Sequence, residues 1–380
     1  MSDSQKDFDK KILTENQAFL DVKQLVRYLI KYKASDLHLK VGRPPLFRIQ
    51  GKLFPSKMSN LTQEAMESMV FRILTIQQKL ELEKNKQIDF SFQAEDLGRF
   101  RCQAYYQRGT LALAIRLIPS QAPRLDSLGT PTVLKELCQR SQGLILITGP
   151  TGSGKSTTLA GAIQHINETQ AVHILALEDP IEFVYHDAQS SISQREIGSD
   201  VHSMQEALIA GLRQDPDIIV LGELRDIHTI QVALTAAETG HLVLSTLHTA
   251  DAKSTIDRIL DVFGHEAQRQ IRFQLATNLM GVFCQQLIPR KDGNGVVLAC
   301  ETMIKSPAIE NYIRKDQLDQ IPEAIASSTD YYQMQSMNQS LEKLILSELI
   351  TLEDGLKSSR APDDLKLRLS GLNRQEGFAR

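Results

Sequence analysis

The sequence predicts an α/β chain in two parts, a mixed αβ first part and a second part built on a largely parallel sheet. Three observations carry that reading. Short apolar runs rich in branched residues, at 144–148, 172–177, 217–221 and 242–246, alternate with helix-compatible segments. Strands separated by helices need crossover connections, and these make the strands parallel. Before residue 119, helical spacing and strand alternation mix without that rhythm. Between the two parts lies Pro119-Ser120-Gln121-Ala122-Pro123, whose two prolines and small residues read as a linker.

In chain order, residues 1–18 are polar and charged and are expected to form a flexible tail. A first domain is expected over 19–118. Leu20, Val22, Leu25, Val26, Leu29 and Ile30 have helical spacing, and Ser35-Asp36-Leu37-His38-Leu39 alternates as a strand before a turn at Gly42-Arg43-Pro44-Pro45. Phe47, Ile49 and Leu53 suggest a strand pair turning at Gly51. The stretch 62–84 reads as helical, and 100–106 and 111–118 read as strands. After a linker at 119–124 a second domain runs from 125 to 370. It turns mostly helical beyond Ser254, as in 268–286 and 340–356, and 371–380 is expected to be a second flexible tail.

A chain of 380 residues can bury two cores. Its net charge of −3 gives no reason to expect nucleic acid or an anionic membrane as a partner. The N-terminus lacks the apolar stretch of a signal peptide, and no apolar run approaches the ~18 residues that span a bilayer. Membrane association is therefore expected only through a partner. Cys102, Cys138, Cys284 and Cys300 are far apart with no C-x-x-C pair, which reads as reduced packing thiols rather than a zinc site or disulfide framework.

The chemistry concentrates in the second domain. Gly149-Pro150-Thr151-Gly152-Ser153-Gly154-Lys155-Ser156, followed by Thr157, fits the phosphate-binding pattern G-x-x-x-x-G-K-[ST], with an apolar strand before it and a helix-compatible segment after it. Its glycines let successive N–H groups face phosphate oxygens, and the helix points its positive end at the same anion. Lys155 is expected to reach the β- and γ-phosphates of ATP, and Ser156 to bind Mg²⁺.

Asp217-Ile218-Ile219-Val220-Leu221-Gly222-Glu223 is a buried strand ending in a carboxylate, expected beside the phosphate loop. Gly222 stands where many phosphate-loop enzymes have Asp, so Glu223 is the candidate general base. Glu178, Asp179 and Glu182 form an acidic box at another strand exit, where ligands of parallel sheets bind. His241 and His248 flank the strand between them and are candidates for sensing γ-phosphate or relaying closure between subunits. Seven residues of extended strand hold the two histidines over ~20 Å apart, which argues against a shared metal.

The phosphate loop, the acidic box, the Gly222-Glu223 exit and the two-histidine box occur in this order in the secretion-type ATPases, the motors of type II secretion and type IV pili. Within them the chain resembles the PilT/PilU-type retraction ATPases, over about 20–370. Ala34 to Leu39 with Arg43-Pro44-Pro45, Gly98-Arg99-Phe100-Arg101 with Arg116, and the run from Met334 to Leu341 carry the rest of the likeness.

The resemblance implies an N-terminal PAS-like domain and a C-terminal RecA-like P-loop ATPase domain with a helical extension. It implies a cytoplasmic homohexamer that uses ATP and Mg²⁺ to retract pili, peripheral to the inner membrane through a platform protein, without nucleic acid and without direct membrane insertion. A paralogous retraction ATPase is a further implied partner. It also carries onto Arg101 and Arg116 the task of enclosing nucleotide. The chain departs from the family's Ala-Ile-Arg signature at Glu310, where Arg is expected, and at Lys315. An accessory PilU-like motor and a pilus-assembly or type II secretion motor stand as alternatives; a nucleic-acid translocase is disfavoured because no basic, aromatic-studded track is evident.

Overall fold

The computed structural model describes residues 21–94 and 96–377, and the expected tail at 1–18 lies outside them. The chain divides into two compact units, one over 21–121 with 182–184 and one over 122–181 with 185 onward.

The first unit is a six-stranded antiparallel sheet covered on one face by helices. Its strands are β1 (Asp36–Lys40), β2 (Leu46–Ile49), β3 (Lys52–Pro55), β4 (Gln87–Ala94), β5 (Gly98–Gln107) and β6 (Thr110–Leu117), in the order β3-β2-β1-β6-β5-β4. Helix α1 (Val22–Lys31) starts at Asp21, whose side chain accepts from Lys23 N, and buries Val22, Leu25, Val26 and Leu29. That spacing is one helical face. Leu37, Phe47, Phe100, Cys102 and Ile115 from alternate strand positions complete the core.

The helical stretch at 62–84 is two helices, α2 (Gln63–Ile73) and α3 (Ile76–Asn85). Thr75 breaks it: its hydroxyl accepts from Gln78 N while Gln78 caps Thr75 N, a reciprocal box that starts a new helix. Strand β4 is absent from the sequence reading, although Ile88 and Phe90 alternate inward against β5.

The second unit is a seven-stranded sheet between helices. Its strands are β7 (Gly143–Thr148), β8 (His173–Glu178), β9 (Ser191–Glu196), β10 (Ile218–Leu221), β11 (Leu242–Leu247), β12 (Leu279–Pro289) and β13 (Val296–Ile304), in the order β13-β12-β7-β11-β10-β8-β9. All neighbours are parallel except β12 and β13. Every residue of β7, β10 and β11 is buried, as strands covered on both faces require.

Helices α4 (Val133–Leu137), α5 (Lys155–Thr169), α6 (Met204–Gly211), α7 (Ile227–Glu238), α8 (Ala252–Asp261) and α9 (His265–Asn278) belong to this unit. So do α10 (Pro307–Arg314), α11 (Ile321–Ser327), α12 (Thr329–Tyr332), α13 (Met337–Leu346), α14 (Leu352–Ser358) and α15 (Pro362–Gly377). The α/β class is the one read from the sequence.

Four expectations are corrected. Strand β11 lies between β7 and β10, so the Glu223 strand is not the immediate neighbour of the phosphate-loop strand. The segment 268–286 is helical only to Asn278; Val282, Phe283 and Cys284 then enter the sheet between β7 and β13, where pairing overrides the helical pattern. The segment 340–356 breaks after Leu346, where Glu348 takes φ 55 and Thr351 caps a new helix. Finally, α15 continues through Gly377 where a tail is expected from 371, anchored by Leu365 in a small apolar cluster with Ile288, Leu341 and Ile350. No helix among the described residues is long and apolar enough to cross a membrane.

Candidate active site

The C-terminal ends of β7, β11, β10 and β8 lie side by side in one parallel register. The residues that follow each strand therefore share one edge, the usual ligand edge of such a sheet. From β7 the chain passes through Gly149–Gly154 into α5. Gly149 has φ 146, and a Cβ there would lie 2.4 Å from the Gln285 carbonyl oxygen and 2.5 Å from Ser153 Oγ, so only glycine lets the loop fold this tightly. Gly154, at φ 87, precedes α5 without a side-chain cap. The first-turn N–H groups of Lys155, Ser156 and Thr157 have no acceptor within the helix and are donors suited to an anion.

Lys155 is buried, and its Nζ donates to Gly149 O at 2.9 Å and Pro150 O at 3.0 Å, which places the ammonium over the mouth of the loop. Thr158, one turn in, accepts from Gln285 Nε2 at 2.9 Å, so β12 braces the helix that carries the loop.

The acidic groups stand at the neighbouring exits. Glu178, buried at the end of β8, accepts from Gln194 Nε2 at 2.9 Å. Gly222 donates its N–H to Leu177 O and accepts Thr246 Oγ1 at 2.6 Å, while Ser245 Oγ donates to Leu221 O at 2.8 Å. Two buried hydroxyls of β11 thus fix the backbone that presents Glu223. The Glu223 carboxylate accepts from Arg225 Nε at 2.8 Å and lies 3.5 Å from His248 Nε2. Arg225 Nη1 in turn lies 3.9 Å from Asp179.

His248 follows β11 directly, and Gly149 N donates to Leu247 O at 3.3 Å, so the chain at His248 leaves the sheet between the phosphate-loop strand and the Glu223 strand. His241 does not join them. It precedes β11 at the opposite end of the sheet, where its backbone oxygen accepts from Gly143 N and its Nδ1 lies 3.1 Å from Ala236 O. Within the chain, then, one histidine of the pair belongs to this edge. Glu182 is grouped with the first unit.

Arg101 and Arg116 are direct cross-strand partners on β5 and β6, and Arg116 pairs onward with Asp36 on β1, itself opposite Arg48 on β2. Arg116 Nε donates to Asp36 Oδ1 at 2.8 Å, and Arg48 Nε lies 3.5 Å from Oδ2. Burial raises the Asp36 pKa, but the Ser35 hydroxyl and Arg116 outweigh it and hold the carboxyl below its ordinary value. Arg101 has a like charge directly opposite, an arrangement that costs stability where no anion is near.

Residues 15–357 match the family described as type II/IV secretion system protein. The chain belongs to that family. It is 41% identical over 345 residues to the type IV pilus retractation ATPase PilT of Pseudomonas aeruginosa, covering 91% of this chain and 100% of that protein. It is 34% identical over 350 residues to the type IV pilus ATPase PilU of the same organism, covering 92% and 91% respectively. A crystal structure of the pilus retraction motor PilT with bound ADP matches with a TM-score of 0.85 at 43% identity, covering 91% of this chain and 99% of that one.

For a secretion-family chain the site holds three residues that lie outside the sequence motifs. Arg225, two residues past Glu223, was detectable as a charge at the same strand exit. Gln194 and Gln285 carried no signal, because they come from β9 and β12, strands that the sequence did not reveal.

Proposed function

We propose that this chain is an ATP-hydrolysing motor that powers type IV pilus retraction, and with it twitching motility. One observation carries the reading: a single sheet edge presents the phosphate loop with buried Lys155, Glu223 and His248. Gly149 to Thr157 cradle the triphosphate, and Lys155 neutralises its β- and γ-oxygens.

Glu223 takes a proton from water as the water oxygen bonds to the γ-phosphorus and the bond to the β–γ bridging oxygen breaks, giving ADP and phosphate. His248 orients the Glu223 carboxylate, and Glu178 supplies the second acidic group of the edge. Ser156, at the start of an uncapped α5, would hold Mg²⁺, which when bound spreads phosphate charge.

Arg101 and Arg116 contribute guanidinium charge toward phosphate in an assembled homohexamer. The ring acts on an inner-membrane platform protein from the cytoplasmic side.

A second reading, an accessory motor beside a paralogous retraction ATPase, is favoured by α10. Glu310 there pairs with Arg314 and lies 4.0 Å from Lys305, so its charge reversal is taken up inside the chain.

The test is surface pilus abundance with surface motility in cells whose only copy carries Glu223→Gln. Excess pili with lost motility is the expected result. Missing pili would assign the chain to assembly, and normal pili with normal motility would leave it the accessory role.

A further inference from the structure

Beyond His248 the chain turns into α8, and a set of hydrogen bonds fastens that turn. Thr249 Oγ1 lies 2.7 Å from Thr255 Oγ1, and Thr255 Oγ1 also reaches Asp251 O at 2.7 Å. Asp251 Oδ1 accepts from Ser254 N at 2.6 Å while Ser254 Oγ accepts from Asp251 N, a complete capping box. Ala252 N donates to Glu301 Oε1, from β13, at 2.9 Å. The second carboxylate oxygen of Asp251 is not needed for the cap, and it accepts from Arg360 Nη1.

Arg360 is itself held from behind. It sits in the turn between α14 and α15, where Ser359 Oγ donates to Asn338 Oδ1 at 2.6 Å. The Asn338 amide donates to Ala361 O at 3.0 Å and to Asp364 at 2.8 Å, and Asn338 is buried on α13. A line of hydrogen bonds and chain therefore runs from α13 through Arg360 and Asp251 to Thr249 and His248, whose Nε2 lies 3.5 Å from Glu223. Burial raises the Glu301 carboxyl pKa, Asp251 adds to that rise, and Arg360 opposes it. The guanidinium thus balances two carboxylates gathered at the start of α8.

We propose that Arg360 is a positioning residue for hydrolysis: through Asp251 it fixes the turn after His248 and keeps the imidazole on Glu223. The inference rests on reading His248 and Glu223 as a working pair. Because the Arg360 side chain is 48% exposed, its ion pair adds little to folding stability, and its effect belongs in turnover.

The experiment measures kcat, KM for ATP and thermal midpoint for full-length Arg360→Gln, Arg360→Lys, His248→Ala and the Arg360→Gln/His248→Ala double variant. Arg360→Gln is expected to lower kcat five- to tenfold with KM within twofold, and Arg360→Lys to restore most of it. In the His248→Ala background, Arg360→Gln is expected to cost nothing further. An equal loss in both backgrounds would overturn the proposal and make Arg360 structural, as would a lower midpoint with unchanged kcat. Wild-type turnover in Arg360→Gln beside a slow His248→Ala would overturn this proposal alone. Wild-type turnover in His248→Ala would overturn the His248 reading and the proposal with it.

Discussion

The two sheets place their charged groups in opposite ways. In the first unit the sheet is antiparallel with one face free of the core, and its arginines run across the strands, from Arg101 to Arg116 to Asp36 to Arg48. In the second unit β7, β10 and β11 are buried on both faces, so polar chemistry is confined to their ends, at Lys155, Glu178, Glu223 and His248. A half-solvated sheet can carry function on its surface, whereas a sheet buried on both sides carries it only at an edge. Which edge is decided by the direction shared by the parallel strands. That is why His248 meets Glu223 and His241 does not.

The largest effect that sharpens this contrast is at the loop. Lys155→Ala is expected to reduce ATP hydrolysis below detection in a phosphate-release assay; residual turnover near wild type would remove the loop from the site. Next comes the comparison of strand ends. His248→Ala is expected to lower kcat about tenfold or more, on the scale of a lost general-base partner, and His241→Ala to stay within about twofold. A reversed order would mean that the sheet edge does not define the site.

The arginine row separates charge from stability. Arg101→Ala and Arg116→Ala are both expected to slow turnover, read by steady-state ATPase rates, but among the described residues only Arg116→Ala gives up an ion pair. It should cost up to about 1 kcal/mol in denaturant unfolding, while Arg101→Ala, which relieves a like-charge opposition, should cost nothing. Because the Asp36 pKa is depressed in the folded chain, the pair stabilises above the ordinary Asp value and its contribution disappears as pH falls through the lower folded value. The stability gap between wild type and Arg116→Ala should therefore close in acid and be full at neutral pH.

The smallest effect is at the thiols. Cys102, Cys138, Cys284 and Cys300 are all buried and unbridged, and burial pushes Cys138 and Cys300 up to about 12. A thiol reagent should label the native chain far more slowly than the unfolded one and leave its ATPase rate unchanged.

The parallel strands were legible because burial on both faces writes itself as an uninterrupted apolar run, as in Leu144-Ile145-Leu146-Ile147. The phosphate loop was legible because Gly149 has no room for a Cβ, so the backbone constraint appears as a residue type. The strands β9 and β12 were not, since Ser191-Ile192-Ser193-Gln194 is polar and Leu279 onward continues the spacing of α9. Their polar partners Gln194 and Gln285 were hidden with them. Strand order was hidden too: nothing local to the Glu223 strand says that β11 inserts between it and β7. Contacts made across the chain, such as Arg360 on Asp251, leave no periodic trace at either residue.

The central claim is that Glu223, held at the edge shared with the phosphate loop, is the base for hydrolysis. The most direct test is Glu223→Gln in the purified full chain, with ATP binding and single-turnover hydrolysis measured on the same sample. ATP affinity is expected within a few-fold of wild type, with a hydrolysis rate lower by roughly a hundredfold or more. Hydrolysis near the wild-type rate at full nucleotide occupancy would contradict it.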